Sequence, residues 1–255
     1  NVAYEGKTKD KLVIENDDMS HDEFYDFLSK VFNNYFGIMA IGAPIYVCHA
    51  DSEGENFRRA YREAGLKLAE CIIWVKNSFV MGRQDYHWRH EPILYGWKPG
   101  SAHFWYGDRD KDTVIDDYLQ MNPKKMSKGQ LVDYFEKLIE NDNNNSTIIY
   151  NDKPTRSEEH PTMKPVTLIS KLMKNSSKQN DLIFDAFAGS GSTLIAAEQL
   201  NRKCYCMELD EKYVDVIVKR YLQFVGNAND IKLIRDGKEY TYEQIKGDEA
   251  DAKKE

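Results

Sequence analysis

The nine residues Asp185 to Thr193, DAFAGSGST, carry the densest chemical signal in the chain. They follow the short apolar run Leu182 to Phe184 and precede a helical pattern, so a glycine-rich turn joins a strand to a helix N-terminus. Such a turn lets the backbone approach a ligand closely, with the helix end behind it. A dinucleotide fingerprint would place a third glycine where Leu194 stands, which counts against NAD. Asp185 at the strand end would repel a pyrophosphate but attract an α-ammonium group, and a cationic sulfonium ligand suits an acidic pocket. Glu208 ends the next apolar run, 17 positions after Gly191, where a carboxylate can accept two hydrogen bonds from ribose hydroxyls. Either acid alone could be an ordinary loop residue. Together with the glycines they outline a pocket.

A second cluster, Arg83, Gln84, Asp85, Tyr86, His87, Trp88, Arg89 and His90, mixes cations, an amide and aromatic planes. Such a mixture can grip phosphate and stack on an unpaired base, although a hairpin whose aromatics pack on a sheet would use the same residues. The cluster sits in the stretch 58–98, where eight cationic side chains face four acidic ones. The whole chain has a net charge of -7 and a pI near 5.5, which excludes indiscriminate coating of nucleic acid but allows a local basic groove. His49 and Asp51 end a strand-like run and are further site candidates, with a core histidine the competing reading of His49. Cys48, Cys71, Cys204 and Cys206 each lie in an apolar run with no C-x-x-C pair, so reduced thiols are expected rather than zinc or disulfides. No ligand cluster suggests a metal.

These residues need a scaffold. At 255 residues and 29.7 kDa, with 41% hydrophobic and 30% charged residues, the chain can form one large α/β domain with an embellishment. No apolar stretch reaches the roughly 20 residues of a membrane span, and no secretory signal is evident, so a cytoplasmic setting is expected. Ser20 and Glu23 form a capping box ahead of a helix over 21–35. Strands are predicted at 43–49, 71–76, 91–97, 182–184, 203–207 and, shorter, 231–234. Helices are predicted at 56–70, which Gly65 can end early, and at 127–140, 165–174, 193–200 and 211–224. Strand, helix, strand implies a parallel sheet covered by helices. The polar segment 98–159, with its Asn-rich loop 141–146, reads as an insertion, and 247–255 as a mobile tail.

Three segments in order, His160-Pro161-Thr162-Met163-Lys164-Pro165, then DAFAGSGST, then Met207-Glu208-Leu209-Asp210 with Tyr213, closely resemble the motifs of DNA adenine and cytosine amino-methyltransferases of the permuted β class, phage-like ones in particular. The similarity extends upstream through Tyr46 to Asp51, Cys71 to Asn77 and Arg83 to Trp97, so it covers nearly the whole chain outside 98–159. The resemblance implies a Rossmann-like S-adenosylmethionine-dependent methyltransferase sheet, mostly parallel with one reversed strand, and a small inserted target-recognition region. By the same resemblance 1–97 forms the target-base half, 98–159 the recognition insertion and 160–246 the cofactor half. Asp185, Phe187, Gly189, Ser190 and Gly191 would line the methionine side of S-adenosylmethionine, Ser192 and Thr193 the helix start, and Glu208 would hold the ribose. His160, Thr162, Lys164 and Pro165 would close over the cofactor's carboxylate end. Arg83, Gln84, Tyr86, His87, Trp88 and Arg89, with His49 and Asp51, would meet DNA or the target base.

The resemblance also implies direct methyl transfer from S-adenosylmethionine to the exocyclic amine (N6) of adenine in double-stranded DNA, after the base is swung out of the duplex. Cytosine-N4 methylation is the alternative. The family's Asp-Pro-Pro-Tyr, or Ser-Pro-Pro-Tyr, does not occur in the chain, and by the resemblance it would stand directly before Asn1. No catalytic residue is therefore assigned, and a non-catalytic cofactor- or DNA-binding subunit is the other class of reading. Strands lie about 4.8 Å apart, so lack of the interior strand leading to that motif would leave about 9.6 Å between its neighbours. The expectation is that upstream residues or a second chain supply it, and a homodimer is compatible with this. A bacterial or phage source, within a restriction-modification system, would fit the family.

Overall fold

The computed structural model describes residues 19–76, 85–111, 113–116, 127–129, 132, 163–229 and 231–245. Most of the predicted helix 127–140, the loop 141–146, His160 and Thr162, and the tail 247–255 lie outside the described residues.

Helix α1, His21–Ile38, starts where the capping box places it. The Ser20 hydroxyl accepts the Glu23 N–H, and the Glu23 carboxylate accepts the Ser20 N–H at 2.9 Å. It runs three residues past the expected Tyr35, until Met39 turns extended. Ser20→Ala removes one partner of this reciprocal cap and is expected to lower stability by about 1 kcal/mol in chemical denaturation. Leu28 and Phe32 bury the inner face of α1 against Ala60 and Tyr61 of α2, Gly54–Glu63, and against Ile45 and Leu94 of the sheet. A short 3₁₀ turn, Asp51–Glu53, leads into α2, and Gly65, at φ +87°, ends the helical path well before Glu70.

The main sheet contains β1 (Pro44–Cys48), β2 (Lys67–Val75), β3 (His90–Trp97) and β4 (Val114–Asp116), in the order β1-β3-β2-β4. β3 runs antiparallel to both neighbours and β4 runs parallel to β2. β3 is the reversed strand, enclosed on both sides, with Ile93 and Leu94 fully buried. β2 begins four residues before the expected Cys71. A bulge between Leu68 and Glu70 breaks its alternation, so Lys67 to Glu70 do not read as a strand. Gly96 of β3 meets this bulge with no room to spare, because a Cβ there would lie 1.8 Å from the Lys67 carbonyl oxygen and 2.5 Å from the Tyr61 hydroxyl.

The described part of 98–159 packs on the same scaffold. The Phe104 N–H donates to the Gly42 carbonyl at 3.0 Å, the Tyr106 N–H donates to the Asn175 carbonyl at 2.7 Å, and His103 stacks on Trp97 at 4.0 Å.

A second, two-stranded parallel sheet pairs β5 (Leu182–Asp185) with β6 (Lys203–Cys206). Helices α3 (Val166–Ser176), α4 (Ser192–Gln199) and α5 (Glu211–Val225) surround it, and β7 (Lys232–Arg235) with β8 (Lys238–Thr241) forms a hairpin. One helix ties the sheets together. Leu168 and Leu172 of α3 pack on Trp74 and Ile93 of the main sheet, while its Met173 packs with Ala196 and Ala197 of α4 near Ile183. α1 makes a second tie, through Tyr35 against Phe184 at 5.6 Å. Among the described residues, the edge of β1 away from β3 and the edge of β5 away from β6 have no strand partner.

Candidate functional site

The strand ends bring both acids of the glycine turn to one place. β5 carries Asp185 to its C-terminal end, in register with Cys206, and Glu208 follows two residues beyond. The two Asp185 oxygens accept the Phe187 N–H at 3.0 Å and the Thr193 hydroxyl at 2.6 Å. Glu208 accepts the Gly189 N–H at 2.8 Å on one oxygen, and the Leu209 and Asp210 N–H groups at 2.9 and 3.1 Å on the other. A carboxylate has about four acceptor positions, so about two remain on Asp185 and about one on Glu208. Glu208 can thus receive both ribose hydroxyls only if Gly189 lets go.

The backbone of the turn is left-handed at Gly189 and Gly191, φ +53° and +78°. At Gly191 the close approach is to protein, since a Cβ would lie 3.1 Å from Ile217 of α5. Ser190 and Ser192 are buried and face inward. The Ser190 carbonyl accepts from the Arg220 guanidinium, and the Ser192 hydroxyl donates to the Lys164 carbonyl at 2.7 Å. Tyr35 accepts the Ala186 N–H at 3.0 Å. Arg220 and Tyr35 were not among the sequence candidates. Yet Tyr213, Ile217 and Arg220 share one helical face by their spacing, a signal that the residues of α5 already carry. The exposed rim is apolar: Phe187, Met207 and Leu209 are 58%, 59% and 77% exposed.

Lys164, expected over the cofactor's carboxylate end, directs its ammonium elsewhere. Its Nζ lies 2.8 Å from Glu91 Oε1 on β3, while Lys76 Nζ lies 3.0 Å from Glu91 Oε2. Burial works against all of these charges, but the mutual attraction outweighs it, holding the Glu91 carboxyl below and the Lys164 ammonium above their usual pKa values. Pro165, extended at ψ 134°, serves as the N-cap position of α3. Cys48 lies in the same region, its thiol pushed up by burial to about 11.

The cationic aromatic segment is described from Asp85 onward, and Arg83 and Gln84 lie outside the described residues. Tyr86 is 90% exposed and Trp88 41%, with Trp88 edge-on to His90 at 5.4 Å, whereas His87 and Arg89 are half-buried. Asp51 is exposed at the start of the 3₁₀ turn. His49, a candidate for DNA or the target base, lies below the surface. It is buried against Phe57 at 5.0 Å, its Nδ1 bonds to the Ala50 carbonyl at 2.8 Å, and burial lowers its pKa.

A DNA methylase family model matches residues 4–219. Among curated relatives, the type II methyltransferase M.HinfI of Haemophilus influenzae is 41% identical over 75 residues, which is 29% of this chain and 21% of that protein. M2.LlaDCHI of Lactococcus lactis subsp. cremoris is 32% identical over 163 residues, 63% of this chain and 53% of the relative. M.BglII of Bacillus subtilis is 28% identical over 164 residues, 63% and 44% respectively. The chain thus spans about half, or less, of the length of the curated relatives it matches. In fold it is similar to the M1.HpyAVI-SAM complex (TM-score 0.59, 19% identity, 78% of this chain and 84% of that one). It is likewise similar to the cytosine-N4-specific PvuII DNA methyltransferase (TM-score 0.56, 15% identity, 84% and 74%). With the family model covering most of its length, this chain belongs to the N6/N4 DNA methylase family.

Proposed function

We propose that this chain binds S-adenosylmethionine at the Asp185 to Thr193 turn and serves methyl transfer to the exocyclic amine of adenine in double-stranded DNA. One observation carries the reading: two locally fixed carboxylates, Asp185 and Glu208, flank a left-handed glycine turn with an apolar rim. The residues fit the cofactor. Asp185 has acceptor capacity for the ammonium group, Glu208 for a ribose hydroxyl, and Phe187, Met207 and Leu209 give apolar surface for a purine ring. Bound S-adenosylmethionine supplies a methyl group activated by its positive sulfur. The carboxylates and the glycine turn orient it.

In this reading Tyr86 and Trp88, whose rings are exposed, stack on bases, and Arg83, Gln84, His87 and Arg89 meet phosphate. Residues 98–159 supply target recognition in this reading. On the same reading a further strand pairs with the edges of β1 and β5 that have no strand partner among the described residues, and it carries the residues that hold the target base.

Calorimetry with S-adenosylmethionine tests the site. Asp185→Asn is expected to weaken binding by about tenfold or more, because a charge-assisted contact is lost. Binding of NAD with none of S-adenosylmethionine would overturn the assignment. Transfer of labelled methyl to duplex DNA, followed by nucleoside mass spectrometry, separates methyladenine from methylcytosine and from no transfer.

A further inference from the structure

Two cysteines stand outside the reading so far. β6 turns Lys203 and Tyr205 outward and Cys204 and Cys206 inward, and the two thiols meet with their Sγ atoms 3.4 Å apart. Both are free and partly exposed. Cys204 packs on Met173, Ala196 and Ala197, whereas Cys71 packs on the α1–α2 core. Cys206 is in register with Asp185, and the turn hangs from the end of β6 by three hydrogen bonds. The Met207 N–H donates to the Asp185 carbonyl at 2.9 Å, the Ala188 N–H donates to the Met207 carbonyl at 2.9 Å, and Glu208 accepts from Gly189.

We propose that Cys204 and Cys206 are an oxidative modification site, closing to an intrastrand disulfide with peroxides or small disulfides and thereby loosening the cofactor turn. The coupling to the cofactor rests on the function proposed above; the disulfide itself does not. With hydrogen peroxide, the Cys204 thiolate attacks one oxygen, the O–O bond breaks, and a sulfenic acid forms as the first water leaves. Cys206 then attacks that sulfur, the S–O bond breaks, and the second water departs. Two thiols have given up two electrons and two protons, and one peroxide has become two waters. The hydrogen bond from Cys206 assists ionisation of Cys204, against the opposing effect of burial.

Strand geometry sets the consequence. Two residues along a strand span about 6.6 Å, near the upper end of the Cα separation that a disulfide tolerates, about 4.4 to 6.8 Å. Disulfides most often hold their Cα atoms about 5.5 to 6 Å apart, so closing the bond is expected to draw β6 shorter and pull Met207 and Glu208 off their partners in the turn. A bond under such strain is also readily reduced.

The test treats the whole chain with hydrogen peroxide, then measures intact mass and S-adenosylmethionine affinity by calorimetry. The expected product has lost two hydrogens, maps to the peptide holding residues 204 and 206, and reverts with dithiothreitol. It should persist in a Cys48→Ser, Cys71→Ser variant and vanish in both Cys204→Ser and Cys206→Ser. Affinity of the oxidised chain is expected to fall by about tenfold and to recover on reduction. Added oxygens on either cysteine without loss of two hydrogens, or a disulfide involving Cys48 or Cys71, would overturn the site. Unchanged affinity in a fully oxidised chain would overturn the coupling. Absence of binding by the reduced chain would instead sink the functional reading, while the mass result still decides the disulfide.

Discussion

Gly96→Ala is expected to destabilise the protein by about 4 kcal/mol or more, lowering Tm by roughly 10 °C if the chain still folds. A single methyl is enough because its carbon would sit 1.8 Å from the Lys67 carbonyl oxygen and 2.9 Å from the carbonyl carbon. Those atoms belong to the backbone of β2, so no rotamer change relieves the overlap. The strand must move, and with it the pairing of Lys67 and Leu68 to Trp97 and Gly96 that borders the α1–α2 core. Gly37→Ala is the matched control. Nothing lies within 4 Å of a Cβ there, and within a helix the alanine should add about 0.5 to 1 kcal/mol. Equal effects of the two substitutions in thermal unfolding would show that close packing at β3 does not matter to the fold.

Glu91→Gln is expected to cost about 2 to 3 kcal/mol, by removing the carboxylate that faces two lysines in a partly buried site. The side chains of Lys76, Glu91 and Lys164 are 18%, 16% and 24% exposed, so water screens them weakly. The depressed carboxyl of Glu91 contributes stability that is present above about pH 4.3, its unfolded value, and is lost as pH falls through the lower folded value. The raised Lys164 ammonium contributes below about pH 10.4 and loses its part as pH rises through the higher folded value. The gap between wild type and Glu91→Gln in denaturant titrations should therefore be widest from about pH 5 to pH 10 and close under acid conditions. Replacing all three residues with apolar ones of similar size should restore most of the lost stability, because the desolvation cost disappears along with the attraction. A gap that is flat with pH would mean the ion pairs contribute nothing.

The pattern of the sequence located the elements with strong apolar periodicity. α1, α5, β1, β3 and the strand–turn–helix around Asp185 lie within a few residues of their expected places, because core-facing residues dominate their composition. Elements with weak patterning were hidden. The bulge between Leu68 and Glu70 disguises the first half of β2, β4 is three residues long, and β8 carries Lys238 and Glu239 on a hairpin that barely packs. In the site, residue types revealed that Asp185 and Glu208 belong together, while their loading by backbone donors depends on turn geometry that composition does not encode. Lys164 illustrates the same limit: its sequence neighbourhood points toward the cofactor, but its partner Glu91 lies 73 positions away and is brought near only by the packing of α3 on the sheet. For His49 the strand pattern fits both a site and a core residue, and its burial against Phe57 of α2 comes from packing that the local sequence does not encode.

Among the described residues the outer flanks of β1 and β5 pair with no strand, which bears on how the protein behaves at high concentration. A strand with unused donors and acceptors templates pairing with other chains, and the proline at position 44, lacking an N–H, blunts only the start of one flank. The other opens on Leu182, 56% exposed, which offers an apolar foothold to an incoming segment. Where nothing covers these flanks, copies of the chain should stick edge to edge, and a strand that pairs with either flank should keep them apart.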